Sequence, residues 1–247
     1  MTAADQLWHS GAGLLRLSLI ALIFAAGAWA WSSGLLPEIV ALWEDIAYLG
    51  REHIWLTAIS GSLAILAGIP VGVWLSRPSM QRYSEGIMQV FNLGTTIPTL
   101  AILALSMSFL GIGTVPSIFG LFTATLLPIV RNTYAGIKAV PQHLIEAAVG
   151  MGMTRMQILW QVELPGALFV IFAGLRTALA INVGTVPLVF LIGGGGLGEL
   201  IFTGIALDEL GMMLAGAIAT ALLAVSVDFL VGQMQFWLVP RGINPLR

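Results

Sequence analysis

Apolar residues run along this chain in long blocks, and polar residues gather in the gaps. Blocks long enough to cross about 30 Å of hydrocarbon occur at roughly 17–36, 54–75, 87–110, 113–130, 167–192 and 210–238. The pattern predicts about six transmembrane helices. The fourth is short and is bracketed by Pro116 and Pro128. Pro70 and Pro187 fall inside blocks, where proline is tolerated if neighbours satisfy the carbonyl it leaves free. Residues 1–49 divide off as an N-terminal anchor helix with an external loop, and 50–247 as the membrane bundle. No repeat or separate soluble domain is visible.

Composition sharpens this picture. The chain has 247 residues, of which 58% are hydrophobic and 9% charged, with a mean hydropathy of +0.96. A soluble globular protein carries about 25% charged residues, so the solvent of this chain is lipid and its class is an all-α membrane protein. The net charge of −2 gives no sign of a nucleic-acid partner. Cysteine is absent, and His9, His53 and His143 lack a second ligand at metal-site spacing, so no metal site is expected and each histidine is placed at a surface or interface.

The charges also orient the chain. Arg16, Arg77, Arg82, Arg131, Lys138, Arg155, Arg241 and Arg247 flank one side of the spans. The opposite loops hold Glu38, Glu44, Asp45, Glu52, Glu199, Asp208 and Glu209 against Arg51 alone. Cytoplasmic loops are rich in Lys and Arg, so both termini and the 131–166 loop are expected inside. Ala28-Trp29-Ala30 resembles a signal-peptidase site, but Asp5 offsets Arg16 and leaves a poor n-region, which favours a retained anchor.

The polar segment 140–165 has a structure of its own. Pro141 suits the start of a short helix through Leu144, Ile145, Ala148 and Val149. Gly150 and Gly152 stop it, because glycine readily takes a left-handed cap. Thr154 and Gln157 form a capping box that opens a second short helix, which Leu164-Pro165 ends. The prediction is a helix–turn–helix elbow that presents the small side chains Ala147 and Ala148 to a partner surface.

Glu146-Ala147-Ala148, then Gly152, then Val162-x-Leu164-Pro165 resembles the "EAA" motif of permease subunits in ABC importers. Every spacing is kept, and Val162 stands where the motif has isoleucine. The resemblance implies a type I importer (MetI-like) permease fold whose coupling helix docks on a separate ATPase. The chain has no phosphate-binding G-x-x-x-x-G-K-[ST], and Lys138 is its only lysine, so it is not expected to be an enzyme or to bind a cofactor. ATP and Mg belong to the partner. The stretches "TTIPTLAIL" (95–103), "GIGTVPSIFGLF" (111–122), "LLPIVRNTYAGI" (126–137), "GLRTALAINVGT" (174–185) and "IGGGGLGELIFTGI" (192–205) resemble the permeases for osmoprotectants such as glycine betaine, carnitine and choline. The family precedent implies a pair of permease subunits, two ATPase subunits and an extracytoplasmic substrate-binding protein in a prokaryotic cytoplasmic membrane.

A pathway for a zwitterion needs polar groups without strong net charge. Asn92, Thr95, Thr96 and Thr99 on the third span, with Asn182 and Thr185 on the fifth, are available. For Asn92, Thr95, Thr96 and Asn182, lining of the pathway and plain helix–helix hydrogen bonding are both open readings, and these four are the candidate lining residues. Arg176 and Asp228 lie inside spans, eleven residues past Pro165 and twelve before Pro240. At 1.5 Å per residue both sit roughly 15–18 Å from the same membrane face, which predicts a pair or a shared polar cluster. The glycines at 193–196 with Gly198 satisfy G-x-G-x-x-G without a preceding strand, so a flexible external loop is expected rather than a nucleotide site. Met151, Met153 and Met156 suit an adaptable docking face. An amino-acid importer is the alternative cargo reading. A secondary transporter or channel would need inverted repeats and clustered intramembrane acids, and a membrane enzyme would need a His/Asp/Glu cluster; none is visible.

Overall fold

The computed structural model describes residues 18–240, except 19, 23, 26 and 29, together with residue 242. Asp5, His9, Arg16, Trp29, Arg241 and Arg247, and with them the reading of the N-terminal leader and the C-terminal tail, lie outside the described residues. So does part of the 17–36 block, whose described positions from 18 to 32 are helical. Among the described residues there is no strand.

A left-handed turn at Gly34 (φ 82°) leads into α1, Leu35–Ala41. Helix α2, Trp43–Leu75, has 33 residues, roughly 50 Å at 1.5 Å per residue. It starts well before residue 54 because Glu44, Asp45, Arg51 and Glu52 continue the helix beyond the apolar block. After a 3₁₀ turn at Pro78–Met80 come α3, Gln81–Gly94, and α4, Thr99–Leu110. These two are bent by 96°. The block at 87–110 is therefore not one straight helix. Pro98 biases Ile97 away from the helical region and cannot donate its own backbone bond, so the chain breaks between them.

Helix α5, Thr114–Lys138, has 25 residues and passes through Pro128. The fourth span is thus longer than expected. Pro116 lies in its first turn, where a missing N–H costs nothing. The elbow follows as α6, Gln142–Gly150, and α7, Arg155–Ile158, which runs through a π-helical turn at Leu159–Glu163 into α8, Leu164–Thr185. A 3₁₀ segment at Val186–Ile192, then α9, Gly198–Leu207, and α10, Leu210–Leu238, complete the chain. Among the described residues four segments are long and apolar enough to cross a membrane, or five if the bent pair is one broken span. The remaining expected span is the N-terminal one.

Helix α5 is the hub, packing against α2 on one side and α8 on the other, while α10 covers α8 and α9. Small residues set these close approaches. A β-carbon at Gly72 of α2 would lie 2.6 Å from the Thr133 β-carbon of α5, and one at Gly174 of α8 would run into Asn132. The core between them holds Ala64, Ile129, Ile137, Ala167, Ile171 and Ala178. Large apolar side chains such as Leu66, Leu222 and Phe229 stay exposed, as suits a surface that faces lipid or a partner subunit.

Candidate functional site

The elbow is built by turn chemistry. Gly152 takes φ +77° and so supplies the left-handed residue after α6. Its N–H donates to the Val149 carbonyl (2.9 Å), and the Met153 N–H donates to the Ala148 carbonyl (3.1 Å). Together these bonds make a Schellman cap. Thr154 and Gln157 then close the capping box. The Thr154 N–H donates to Gln157 Oε1 at 2.8 Å, and the Gln157 N–H to Thr154 Oγ1 at 3.4 Å.

Two expectations change here. Glu146, Ala147 and Gly152 are exposed, but Ala148 is 1% exposed and turned into the protein. Its small size lets α6 sit close on its own subunit, while Ala147 alone of the two faces outward. Leu164-Pro165 also does not end the second arm, because that arm continues into α8. Pro165 leaves the Gln161 carbonyl without its usual donor and crowds it. The register widens to a π turn there, with the Leu164 N–H reaching the Leu159 carbonyl. Val162, Leu164 and Pro165 are half-buried, and Val162 and Leu164 pack on the core along with Ile145. The elbow is thus continuous with α8 and seated on the core.

A side-chain contact missed from the sequence also holds the elbow. Arg77, just past the end of α2, donates from Nη1 to Glu163 Oε2 at 2.6 Å. The partners are 86 residues apart, so no local spacing announces them.

Asn92, Thr95 and Thr96 gather at the α3–α4 bend and are exposed. The Thr95 hydroxyl donates to the Asn92 carbonyl and the Thr96 hydroxyl to the Leu93 carbonyl, both at 2.7 Å. Asn182 is elsewhere. It is 1% exposed, and its Nδ2 donates to Thr125 Oγ1 (2.7 Å) and Ser60 Oγ (3.0 Å). In this conformation Asn182 lines no free surface, since its amide joins α2, α5 and α8 at one point.

Arg176 and Asp228 form a forked pair. Arg176 Nε donates to Asp228 Oδ1 at 2.9 Å and Nη2 to Oδ2 at 2.6 Å. Gly232, one turn beyond Asp228, leaves room for the guanidinium, whose Cζ would lie 3.4 Å from a β-carbon there. The pair borders a cleft of about 530 Å³ with Phe169, Thr177 and Gln235.

At the far end of the bundle the glycine loop is tied to its neighbours by hydrogen bonds. The Gly196 N–H donates to Glu52 Oε2 (3.2 Å), the Gly113 N–H donates to the Ile192 carbonyl (2.8 Å), and Gly196, Leu197 and Gly198 are buried. His143 is exposed, but His53 is fully buried, with its Nε2 3.0 Å from the Val183 oxygen. Pro187 explains this. Having no N–H, it cannot serve the carbonyl four residues back, and the α2 imidazole takes its place. Among the described residues no group of His, Cys, Asp and Glu could hold a metal ion.

Comparison with known proteins places this arrangement. The "Osmoprotectant import permease protein OsmY" of Salmonella typhimurium is 50% identical over 230 residues, covering 93% of this chain and 97% of that one. The "Carnitine transport permease protein OpuCB" of Listeria monocytogenes is 39% identical over 197 residues, 79% of this chain and 89% of that one. The "Choline transport system permease protein OpuBB" of Bacillus subtilis is 39% identical over 203 residues, 82% of this chain and 93% of that one. Among solved structures, the inward-facing MetNI methionine ABC transporter aligns with a TM-score of 0.70 at 25% identity, covering 79% of this chain and 96% of that one. The bacterial ABC transporter that imports alginate aligns with a TM-score of 0.60 at 17% identity, covering 94% and 96%. The profile of one family matches residues 68–241, and on that match and these identities the chain belongs to the binding-protein-dependent transport system inner membrane components, as a multi-pass permease of an ABC transporter.

Proposed function

We propose that this permease imports quaternary-amine osmoprotectants of the glycine betaine, carnitine and choline class. The supporting observation is 50% identity across 97% of an osmoprotectant import permease. The importer carries two copies of a separate ATPase that hold ATP and Mg, and one of them grips this elbow through Glu146, Ala147 and Gly152. Val162, Leu164 and Pro165 carry its movement into α8. A second permease subunit completes the pathway, and an extracytoplasmic binding protein delivers the solute. The elbow and the C-terminus face the cytoplasm, in keeping with the Arg and Lys on that side. Asn92, Thr95 and Thr96 offer the solute polar contacts at the bend, and Asn182 holds the helices behind them. The ATP-driven cycle switches a bistable bundle between two packings.

The test reconstitutes the importer with its binding protein in vesicles. Labelled glycine betaine, carnitine and choline should enter on ATP, and labelled methionine should not. Gly152→Val puts a β-branched residue at φ +77°, where it is strained. The subunit should still insert, while binding-protein-stimulated ATP hydrolysis is lost. Full stimulation in Gly152→Val would refute the coupling role of the elbow, and methionine import in place of the amines would refute the cargo.

A further inference from the structure

We infer that the Arg77–Glu163 ion pair is a strut through which the elbow moves the α2–α3 corner. This rests on the reading of the elbow as the ATPase-coupled segment. Helices α5 and α8 are joined to the elbow by the chain itself, since α5 runs into α6 and the second arm runs into α8. Helix α2 has no such link. Beside the second arm it leaves a cavity of about 710 Å³, lined by Pro70, Trp74, Leu159, Trp160 and Pro165. Arg77 also borders that cavity, and its bond to Glu163 bridges from α2 to the arm.

The guanidinium is held for this task. Nε donates to the Val73 carbonyl (3.1 Å) in the last turn of α2, where that oxygen otherwise has only a shared 3.2 Å backbone bond from the Ser76 N–H. Nη2 donates to Ser76 Oγ (2.9 Å), and that hydroxyl itself donates to Val73 (2.7 Å). Nη1 remains for Glu163, at 2.6 Å. The two side chains are 23% and 13% exposed, so water screens them only in part. On the other partner, Glu163 closes the π turn, the wider stretch of the arm. Such turns often sit at functional positions.

The strut ends where it is useful. Arg77 directly precedes the Pro78–Met80 turn and then α3, which ends at the bend carrying Asn92, Thr95 and Thr96. A displacement of the second arm therefore reaches the bend by a short route through one charged contact. Arg77 and Glu163 are positioning residues, because they act through α3 and need not touch the solute.

The experiment measures solute imported per ATP hydrolysed by the complete importer in vesicles, for Arg77→Gln, Glu163→Gln and the double variant. Each single substitution should lower this ratio on the order of tenfold, in the range typical of coupling between sites. The double variant should be no worse than either single one, and stimulated ATP hydrolysis should persist. Should Arg77→Gln fail to assemble, Arg77→Lys makes the same comparison, keeping the charge but losing the fork to Val73 and Ser76; a ratio between wild type and Glu163→Gln is expected. An unchanged ratio, effects that multiply in the double variant, or equal falls in transport and hydrolysis at constant ratio each overturn the strut. If Gly152→Val abolishes stimulation while Arg77→Gln keeps the ratio, the strut fails and the coupling reading stands. If Gly152→Val stays stimulated, the coupling reading itself is lost.

Discussion

Removing one member of the Arg176–Asp228 pair should cost far more than removing both. In the native pair both carboxylate oxygens are bonded, at 2.9 and 2.6 Å. Asp228→Leu leaves the guanidinium alone within the membrane thickness, and it cannot discharge itself by losing a proton. A lone charge at a helix centre costs about 2.5–3.5 kcal/mol on insertion scales. The side chains are 36% and 40% exposed beside an open cleft, so partial hydration lowers this to about 2 kcal/mol. That is roughly 30-fold in the folded-to-unfolded ratio. Arg176→Met strands the carboxylate and should cost somewhat less, because a carboxylate can take up a proton. The double variant Arg176→Met/Asp228→Leu replaces the pair with packed apolar groups and should return to within about 1 kcal/mol of wild type. Graded unfolding of the purified subunit in bicelles gives all three values, and a coupling energy of at least about 2 kcal/mol is expected from the cycle. If the double variant loses the sum of the single losses, the pair contributes nothing as a pair and the reasoning fails.

The other predictions concern helix contacts. Asn182→Ala should destabilise by about 1–2 kcal/mol in the same assay, near the upper range for interhelical hydrogen bonds in membranes. The cost stays modest because Ser60 and Thr125 keep their own bonds to the Leu56 and Leu121 carbonyls, each 2.7 Å; a loss above about 4 kcal/mol would contradict a purely joining role. Gly72→Val should push α2 from α5, since even its β-carbon meets Thr133 at 2.6 Å and the Val130 carbonyl at 2.9 Å. A loss of about 1–3 kcal/mol is expected, with partial recovery in Gly72→Val/Thr133→Gly, and no loss in the single variant would show that the helices do not pack this tightly.

Much of this protein is decided within a few residues of chain. The apolar blocks demand helices because only a helix satisfies its backbone in lipid. The Gly152 turn and the Thr154–Gln157 box depend on bonds spanning a few residues, so both are legible in sequence. That Arg176 and Asp228 share a depth follows from counting along two helices from their ends. Whether two side chains at one depth point toward each other depends on how each helix is rotated, and packing across small residues such as Gly174 and Gly232 sets that rotation. The same limit hid the inward turn of Ala148, the burial of Asn182 and the Arg77–Glu163 contact. His53 looked like a surface residue because the carbonyl it serves lies 130 positions away, freed by a proline in another helix. Pro98 stands inside the 87–110 block, but the 96° bend it permits is not written there, since a proline in a membrane helix either stays in line or breaks according to what its neighbours supply. Local chemistry thus determined the elements and their turns, and only tertiary packing decided which faces met, because the contacts that orient one helix against another come from residues far apart in the chain.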